Sequence, residues 1–344
     1  MIVLDSHCDT PSLMIKGLDI GLDNKDCHVD IPKLMAGGVD ASFFALFTAA
    51  DLSPDAATKK ALEMLASIYD AIGEYSGKIA LAVSPDEILA NKARGLISIL
   101  VGMENGAPIQ RSLSLLRLFY RMGVRYMTLT HNGDNEIADA AHEGKRWGGL
   151  SPFGREVVDE MNRIGMIIDV AHVSDRTFDD VLSCSKAPFV STHSGCRAIA
   201  SHPRNMSDGM IRAMADKGGV IQIVCYPVFL SEAYAAVYAI SGEAALPRPS
   251  VEDVVRHIDH AVNVGGIDHV GIGTDFDGIE VTLDGLENIS RLPVLFDLLS
   301  RRGYSDDQIE KIASGNFLRA FRDVISVSSG LRGQRAGARQ GRLR

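Results

Sequence analysis

The sequence predicts a (β/α)₈ barrel of the TIM type, and three observations lead to that fold class. Eight short runs rich in β-branched or aromatic residues recur along the chain, each followed by a segment with helix signals. Several of these runs are apolar throughout, which is typical of parallel strands buried on both faces. The length of 344 residues also suits one such barrel. A doubly wound open sheet is the alternative, but no glycine-rich phosphate loop follows an early strand.

The predicted elements alternate in chain order. The eight candidate strands cover residues 2–7, 39–48, 96–104, 124–131, 166–172, 188–194, 219–225 and 269–277. Helix signals lie between them, because Pro54 opens an alanine-rich amphipathic stretch and Ser151, Ser174 and Ser250 are typical N-cap residues. Long loops are predicted after the fourth and seventh strands, at 132–150 and 226–249. In barrel enzymes such loops form lids and substrate-facing segments.

Charge divides the chain into two predicted parts. Residues 328–344 contain five arginines, no acid and few large apolar side chains. Such a segment cannot bury a core, so we expect a disordered basic tail after a single catalytic barrel of residues 1–327. The formal charge of −9 argues against general nucleic-acid binding.

Composition also indicates a compartment. No uncharged apolar run reaches the roughly 18 residues that a membrane span needs, and the N-terminus lacks the basic region of a secretory signal. The five cysteines are odd in number and include no CxxC pair, which is typical of reduced thiols. We therefore expect a cytoplasmic protein with no membrane partner.

Side chains that can bind metals end six of the eight predicted strands. They are His7, Asp9, Glu104, His131, His172, His193 and Asp275. Barrel enzymes build their sites at the carboxyl ends of the strands. Imidazoles and carboxylates without thiolate pairs favour zinc or a similar divalent ion. Because one catalytic zinc usually takes three protein ligands, this set suits two ions that share a bridging carboxylate.

The alternation of side chains along a strand separates the three residues of the opening HCD motif. His7 and Asp9 alternate along an extended strand and therefore point to the same face. Cys8 lies between them and is turned away, so we predict that it packs in the core and binds no metal.

Six motifs in order resemble a known family. They are HCD (7–9), GMENG (102–106), RYMTLTHNGDN (125–135), DVAHVS (169–174), STHSGCRAIASHPRN (191–205) and GTDFDG (273–278). The chain is similar in these to the membrane (renal-type) dipeptidases and their bacterial relatives, the peptidase M19 group of the amidohydrolase superfamily. The resemblance runs from about residue 2 to about residue 323 and excludes the basic tail. It implies a metal-dependent amidohydrolase barrel.

The resemblance also implies a role for each matching residue. His7 and Asp9 would hold one zinc ion, His172 and His193 a second, and Glu104 would bridge both. His131 would contact the substrate and polarise the scissile carbonyl, Arg204 would pair with its free C-terminal carboxylate, and Asp275 would carry the proton. The implied reaction is hydrolysis of dipeptides, including L-Xaa-D-Xaa dipeptides, by a hydroxide between the metals. Relatives are commonly homodimers.

One motif departs from the family pattern, and two other functions stay open. Asn105-Gly106-Ala107 stands where the family often has Gly-Gly-His, so a substrate contact from this loop is in doubt. A two-metal barrel could instead act on a lactone, cyclic amide or phosphotriester, although Arg204 would then have no carboxylate to bind. A metal-binding scaffold without activity is the third hypothesis.

The remaining polar residues have structural interpretations. We expect His257, His260 and His269 to be solvated on or after a helix. Asp277 and Gly278 are predicted to secure the turn after the last strand. Asp5 and Asp169 are candidates for orienting the ligating imidazoles.

Overall fold

A computed structural model shows eight parallel strands that form a nearly closed barrel surrounded by helices. The structure describes residues 1–142, 145–241 and 247–341, without the side chains of 241 and 334–341. Within these ranges nine strands are present: β1 Leu4–Cys8, β2 Ala41–Phe47, β3 Ile79–Leu81, β4 Ile97–Glu104, β5 Val124–Thr128, β6 Ile167–Asp169, β7 Val190–Ser194, β8 Val220–Ile223 and β9 Val270–Ile272. Eight of them form the barrel, and β3 pairs with β4 outside that path. All eight predicted strands are confirmed, and the predicted fold class is correct.

Helices cover the outside of the barrel. They are α1 Pro11–Met14, α2 Ile31–Ala36, α3 Pro54–Glu74, α4 Pro85–Ala93, α5 Leu113–Arg121, α6 Pro152–Ile164, α7 Asp175–Cys184, α8 Asp208–Asp216, α9 Pro227–Leu230, α10 Glu232–Ser241, α11 Val251–Gly265, α12 Leu292–Arg302, α13 Asp306–Glu310 and α14 Asn316–Gly341. Within the three described ranges, none of them combines the length and apolarity that crossing a bilayer requires.

Serine caps begin most of the barrel helices. The predicted caps Ser151, Ser174 and Ser250 each accept a hydrogen bond from a backbone N–H in the first turn of α6, α7 and α11. At the other end of α6, Gly165 adopts a left-handed conformation with φ of 85°. A residue with a side chain adopts that conformation only at a cost, so glycine ends the helix here.

The sheet brings the strand ends to one end of the barrel. The pairing order is β1, β2, β4, β5, β6, β7, β8 and β9. The barrel closes where the first strand meets the segment after the last one: the Asp9 N–H donates to the Phe276 carbonyl at 2.8 Å, and the Asp275 N–H donates to the His7 carbonyl at 3.0 Å. Because every strand is parallel, all the predicted strand-end residues share this end.

Two regions differ from the sequence-based prediction. The short strand β3 was missed, because its three residues pair only with the first residues of β4 and carry no long apolar run. The segment 226–249, predicted as a loop, contains α9 and α10. Ser231 supports α10 by accepting a hydrogen bond from the Tyr234 N–H at 3.2 Å. Residues 242–246 of that segment lie outside the described residues.

The C-terminal segment also differs, because α14 continues through the predicted boundary at residue 327. Phe317 and Phe321 anchor its first turns in the core. Ser328 then ties it to α6 by donating to the Arg163 carbonyl at 2.8 Å. Residues 329–341 contain three arginines, two alanines and two glutamines, which favour a helix, and four glycines, which do not. Helix α14 extends to Gly341, and residues 342–344 of the predicted tail lie outside the described residues, so a disordered tail stays a prediction.

Candidate metal centre

A cavity of about 480 Å³ opens at the carboxyl end of the barrel. Seven side chains, here called the strand-end cluster, meet at its floor. They are His7, Asp9, Glu104, His131, His172, His193 and Asp275. The structure therefore brings together every metal-capable residue that the sequence predicted at a strand end.

Glu104 lies between two groups of imidazoles. One carboxylate oxygen, Oε2, is 3.5 Å from Nε2 of His7. The other, Oε1, is 3.0 Å from Nε2 of His172 and 3.7 Å from Nε2 of His193. Since its two oxygens face different partners, Glu104 has the geometry of a bridging ligand.

Two further residues approach the first group. Nε2 of His7 is 3.4 Å from Oδ2 of Asp9 and 3.8 Å from Oδ1 of Asp275. On the other side, potential ligand atoms of His131 lie within 4.8 Å of those of Glu104 and His172. By distance alone, Asp275 and His131 are thus also within reach of a cation held by the cluster.

The second pair of imidazoles is held in the tautomer that metal binding needs. Nδ1 of His172 faces Oδ1 of Asn132 at 3.0 Å, and an amide oxygen can only accept. Nδ1 of His193 faces the hydroxyl of Thr192 at 2.9 Å. That hydroxyl donates to Asp169 at 2.7 Å, so it accepts from the ring. These partners favour a proton on Nδ1 of both rings and turn both Nε2 atoms to the cluster, where they lie 2.9 Å apart.

The first group has its own supporting contacts. The hydroxyl oxygen of Tyr126 lies 2.7 Å from Nδ1 of His7. Asp5 accepts hydrogen bonds from the backbone and hydroxyl of Thr274 at 2.8 and 3.0 Å, which joins β1 to the residues after β9. Asp5 and Asp169 thus act on the cluster indirectly. Each bonds to a threonine, and neither bonds directly to an imidazole ring.

Burial and charge favour neutral imidazoles in one half of the cluster. Burial lowers the pKa of His172 and His193 well below 6.5, and the charge of Arg204 lowers both further. For His7, burial acts in the same direction, but Glu104 and Asp9 outweigh it and raise the pKa well above 6.5. The carboxylates that favour a proton on His7 would equally favour a metal cation.

The three carboxylates of the cluster are also buried close together. Asp9, Glu104 and Asp275 are 4%, 3% and 9% exposed. Burial raises the pKa of Asp9 to about 6 and that of Asp275 well above its usual value, and the neighbouring carboxylates add to both shifts. Nε2 of His7 and Oδ1 of Asp9 are buried without a hydrogen-bond partner. Divalent cations would satisfy these atoms and balance the charge, so the residues fit a metal centre.

Backbone strain collects at the same strand ends. His172 and Asp275 have φ of 69° and 63°, in the left-handed region that side chains rarely adopt. Such conformations persist where the surrounding structure enforces them, and they are common at functional sites. Gly278 lies against the cluster as well: a Cβ at this position would be 2.1 Å from Oδ2 of Asp9.

Arg204 is a buried cation beside the cluster. It is 4% exposed, its Nη2 donates to the His193 carbonyl at 3.2 Å, and its Nε has no partner. The guanidinium lies 5.4 Å from the ring centroid of Phe229. Burial lowers its pKa to about 10, which leaves it charged at neutral pH. Burial and the charge of Arg204 lower the pKa of His131 to about 4, so that ring is neutral.

Several structural predictions are confirmed. Cys8 is buried, and its thiol donates to the Phe43 carbonyl at 3.5 Å, away from the cluster. Asp277 secures the turn after β9 by accepting from the Thr10 hydroxyl at 2.6 Å and the His28 N–H at 2.5 Å.

Asn105-Gly106-Ala107, the departure from the family pattern, lines a separate cavity of about 140 Å³.

One prediction was wrong: His257 is not solvated but completely buried in α11. Its Nδ1 accepts from the Cys196 N–H at 2.9 Å, and its Nε2 donates to the Leu230 carbonyl at 3.1 Å. The ring thereby joins the loop after β7 to α9. The helical pattern of α11 could have identified it, because His257 lies three positions after Val254 on the apolar face.

Other contributors to the site could not be found from local sequence. The cavity is also lined by residues from distant parts of the chain, namely Phe229, Lys16 and Lys60. Tyr126 contacts the cluster through His7. Asn132 and Thr192 had a weak signal, because each is next in sequence to a predicted site histidine.

Comparisons with known proteins agree on one family. The sequence profile of the membrane dipeptidases, peptidase family M19, matches residues 1–335. An uncharacterised dipeptidase of Schizosaccharomyces pombe is 42% identical over 67% of this chain and 54% of its own length. Dipeptidase verJ of Clonostachys rogersoniana is 37% identical over 78% of this chain and 66% of its own length. The chain thus spans only about half to two thirds of these relatives. The probable dipeptidase PvdM of Pseudomonas aeruginosa has a similar structure, with a TM-score of 0.86, 25% identity, and coverage of 95% of this chain and 96% of that one.

Proposed function

Since the chain belongs to the membrane dipeptidase family, peptidase family M19, we propose that it is a zinc-dependent dipeptidase. Its substrates are dipeptides with a free C-terminal carboxylate, including L-Xaa-D-Xaa dipeptides. The observation that carries the proposal is the position of Glu104 between His7 and His172, beside a buried arginine. We further propose that the protein is cytoplasmic and that it forms a homodimer. Light scattering of the purified protein would test the homodimer.

Two zinc ions suit the donors of the cluster. His7 and Asp9 would hold one ion, His172 and His193 the other, and Glu104 would bridge them. Imidazole nitrogens and carboxylate oxygens are common zinc ligands, and a catalytic site keeps a position for water. When bound, the ions would lower the pKa of a water molecule and polarise the scissile carbonyl.

Arg204 supplies the recognition of the free carboxylate. A guanidinium binds a carboxylate through two parallel hydrogen bonds, and Nε of Arg204 is a buried donor without a partner. A bound carboxylate would also compensate the buried charge. A lactone or phosphotriester has no such group, so the buried arginine favours the dipeptide over those substrates.

His131 and Asp275 supply the proton chemistry. The imidazole of His131 is neutral, and a ring N–H directed at the carbonyl oxygen would stabilise the negative charge that develops there. Asp275 is a buried carboxyl whose Oδ1 lies 3.8 Å from Nε2 of His7, so it reaches the place where a water molecule would bind. It would take a proton from water and return it to the leaving amine.

A hydrolysis screen tests the proposal directly. Purified protein would be loaded with zinc, its metal content measured, and its activity assayed on L-Xaa-L-Xaa and L-Xaa-D-Xaa dipeptides. We expect two zinc ions per chain and turnover of both stereochemical classes. Two bound metals without turnover of any dipeptide would contradict the function, and would favour the other substrates or a non-catalytic scaffold.

A further inference from the structure

One wall of the cavity carries two lysines that the reaction does not use. Lys16 follows α1 and Lys60 lies in α3, and both line the cavity together with Phe47 at the end of β2. Helix α1 packs against both α3 and β2, which brings these three residues to the same wall. Nζ of Lys60 is 4.9 Å from the ring centroid of Phe47.

Among the described residues, neither lysine has a carboxylate within ion-pair distance. Within the part of the chain that the structure describes, Lys16 and Lys60 form no ion pair, whereas the neighbouring Lys59 pairs with Glu63 at 3.5 Å. Burial and, next, the charge of Lys16 lower the pKa of Lys60, and they outweigh the opposing charges of Asp9, Asp51 and Glu104. Two like charges that face the same cavity repel each other, and an anion between them would relieve that repulsion.

Phe47 links the lysine wall to His131. The ring of His131 contacts Phe47 edge-on, with centroids 4.8 Å apart, and Phe47 in turn contacts Lys60. Arg204 packs on Phe229 and donates to the His193 carbonyl, and its charge lowers the pKa of His131. With the C-terminal carboxylate at Arg204 and the scissile carbonyl at His131, the N-terminal residue of a dipeptide extends towards Phe47 and Lys60.

We propose that Lys16 and Lys60 form a subsite for an acidic side chain on the N-terminal residue of the substrate. The enzyme then prefers dipeptides that begin with glutamate or aspartate. The inference rests on the proposed function and deepens it by naming a substrate class. Flexible ammonium groups at a partly solvated wall add a modest attraction, so we expect a preference of about tenfold.

Matched substrates isolate this preference. L-Glu-L-Ala and L-Gln-L-Ala have nearly the same shape and differ in charge, and L-Ala-L-Ala reports the reaction without the side chain. We expect kcat/KM for L-Glu-L-Ala to exceed that for L-Gln-L-Ala about tenfold at low salt, and the ratio to fall as sodium chloride is raised. Lys60→Met and Lys16→Met should each lower the ratio. Lys60→Arg should keep most of it, and Lys59→Met, whose lysine is paired with Glu63, should leave it unchanged.

The possible failures can be told apart. Turnover of L-Ala-L-Ala with a glutamate-to-glutamine ratio near one overturns the subsite and leaves the proposed function intact. A tenfold ratio that survives the combined Lys16→Met and Lys60→Met substitution also overturns the subsite. Absence of turnover on all three dipeptides overturns the proposed function, and the subsite with it.

Discussion

The hydroxyl oxygen of Tyr126 lies 2.7 Å from Nδ1 of His7. The other ring nitrogen, Nε2, points into the strand-end cluster. Both side chains are completely buried. The tyrosine comes from β5 and the histidine from β1, so this contact crosses the interior of the barrel. It holds the His7 ring so that Nε2 faces Asp9 and Glu104.

Replacing Tyr126 with phenylalanine should weaken metal binding. The substitution removes the hydroxyl that orients His7 and keeps the ring that packs over Gly102. Loss of such a supporting contact typically lowers metal affinity 10- to 100-fold, and we expect about tenfold here. Competition with a zinc chelator would measure the affinity. An unchanged affinity would mean that packing alone orients His7.

The Gly278→Ala variant should disturb the same end of the cluster. Its Cβ would lie 2.1 Å from Oδ2 of Asp9, so one of the two must move. We expect a loss of bound metal and a fall of at least about tenfold in kcat/KM. Gly209→Ala is the matched control, because the nearest atom to its Cβ is 3.8 Å away. Equal metal content and equal kcat/KM in the two variants would show that the close approach of Gly278 to Asp9 does not matter for the metal centre.

Asp275→Asn should separate proton transfer from metal binding. The amide has the shape of the carboxyl group but cannot carry the proton, so kcat should fall roughly 100- to 10,000-fold. Metal content should stay near that of the native protein. A parallel loss of zinc would instead identify Asp275 as a ligand, which its 3.8 Å distance from His7 would permit.

Arg204→Met should remove the recognition of the free carboxylate. Because the guanidinium is buried and charged, we expect KM for dipeptides to rise about 100-fold. Arg204→Lys keeps the charge but cannot form two parallel hydrogen bonds, so its KM should lie between those of the native enzyme and Arg204→Met. Dipeptide amides provide the control: the native enzyme should strongly prefer the free acid, and the methionine variant should lose that preference. An unaltered preference would rule out Arg204 as the carboxylate anchor.

His257 should make stability depend on pH. Burial lowers its pKa to about 4 from the 6.5 of an unfolded chain, despite an opposing hydrogen bond to Leu230. Between these values the unfolded chain binds more protons, so the free energy of unfolding rises with pH and falls on acidification. The contribution lost between pH 6.5 and pH 4 is at most about 3 kcal/mol.

Urea denaturation of the native protein and His257→Gln over this pH range measures that contribution. Glutamine can keep one of the two hydrogen bonds but does not titrate. The variant should therefore show a shallower pH dependence, while the other histidines contribute equally to both proteins. Parallel curves would mean that His257 is protonated in the folded state without cost.

The positions of the strands and of the cluster residues were predictable from sequence. Apolar runs and the residues that follow them are local features, and parallel strands necessarily collect their carboxyl ends at one end of a barrel. That is why His7, Glu104 and His193 could be grouped before any distance was known. The serine caps of α6, α7 and α11 were predictable for the same local reason.

Features that depend on contacts between distant segments were not predictable. The burial of His257 results from the packing of α11 against the Cys196 loop and α9. The anchoring of α14 by Phe317 and Phe321 likewise depends on the barrel core around them.

By itself, the sequence determined the barrel, the face on which the chemistry collects and the types of ligand there. Only the tertiary structure decided that the two oxygens of Glu104 face different histidines, that Gly278 lies against Asp9, and that Lys16 and Lys60 share a wall. Local patterns establish which residues end a strand, since backbone propensity and side-chain period act over a few positions. Distances between those residues depend on barrel closure, which joins β1 to the segment after β9 across more than 260 residues.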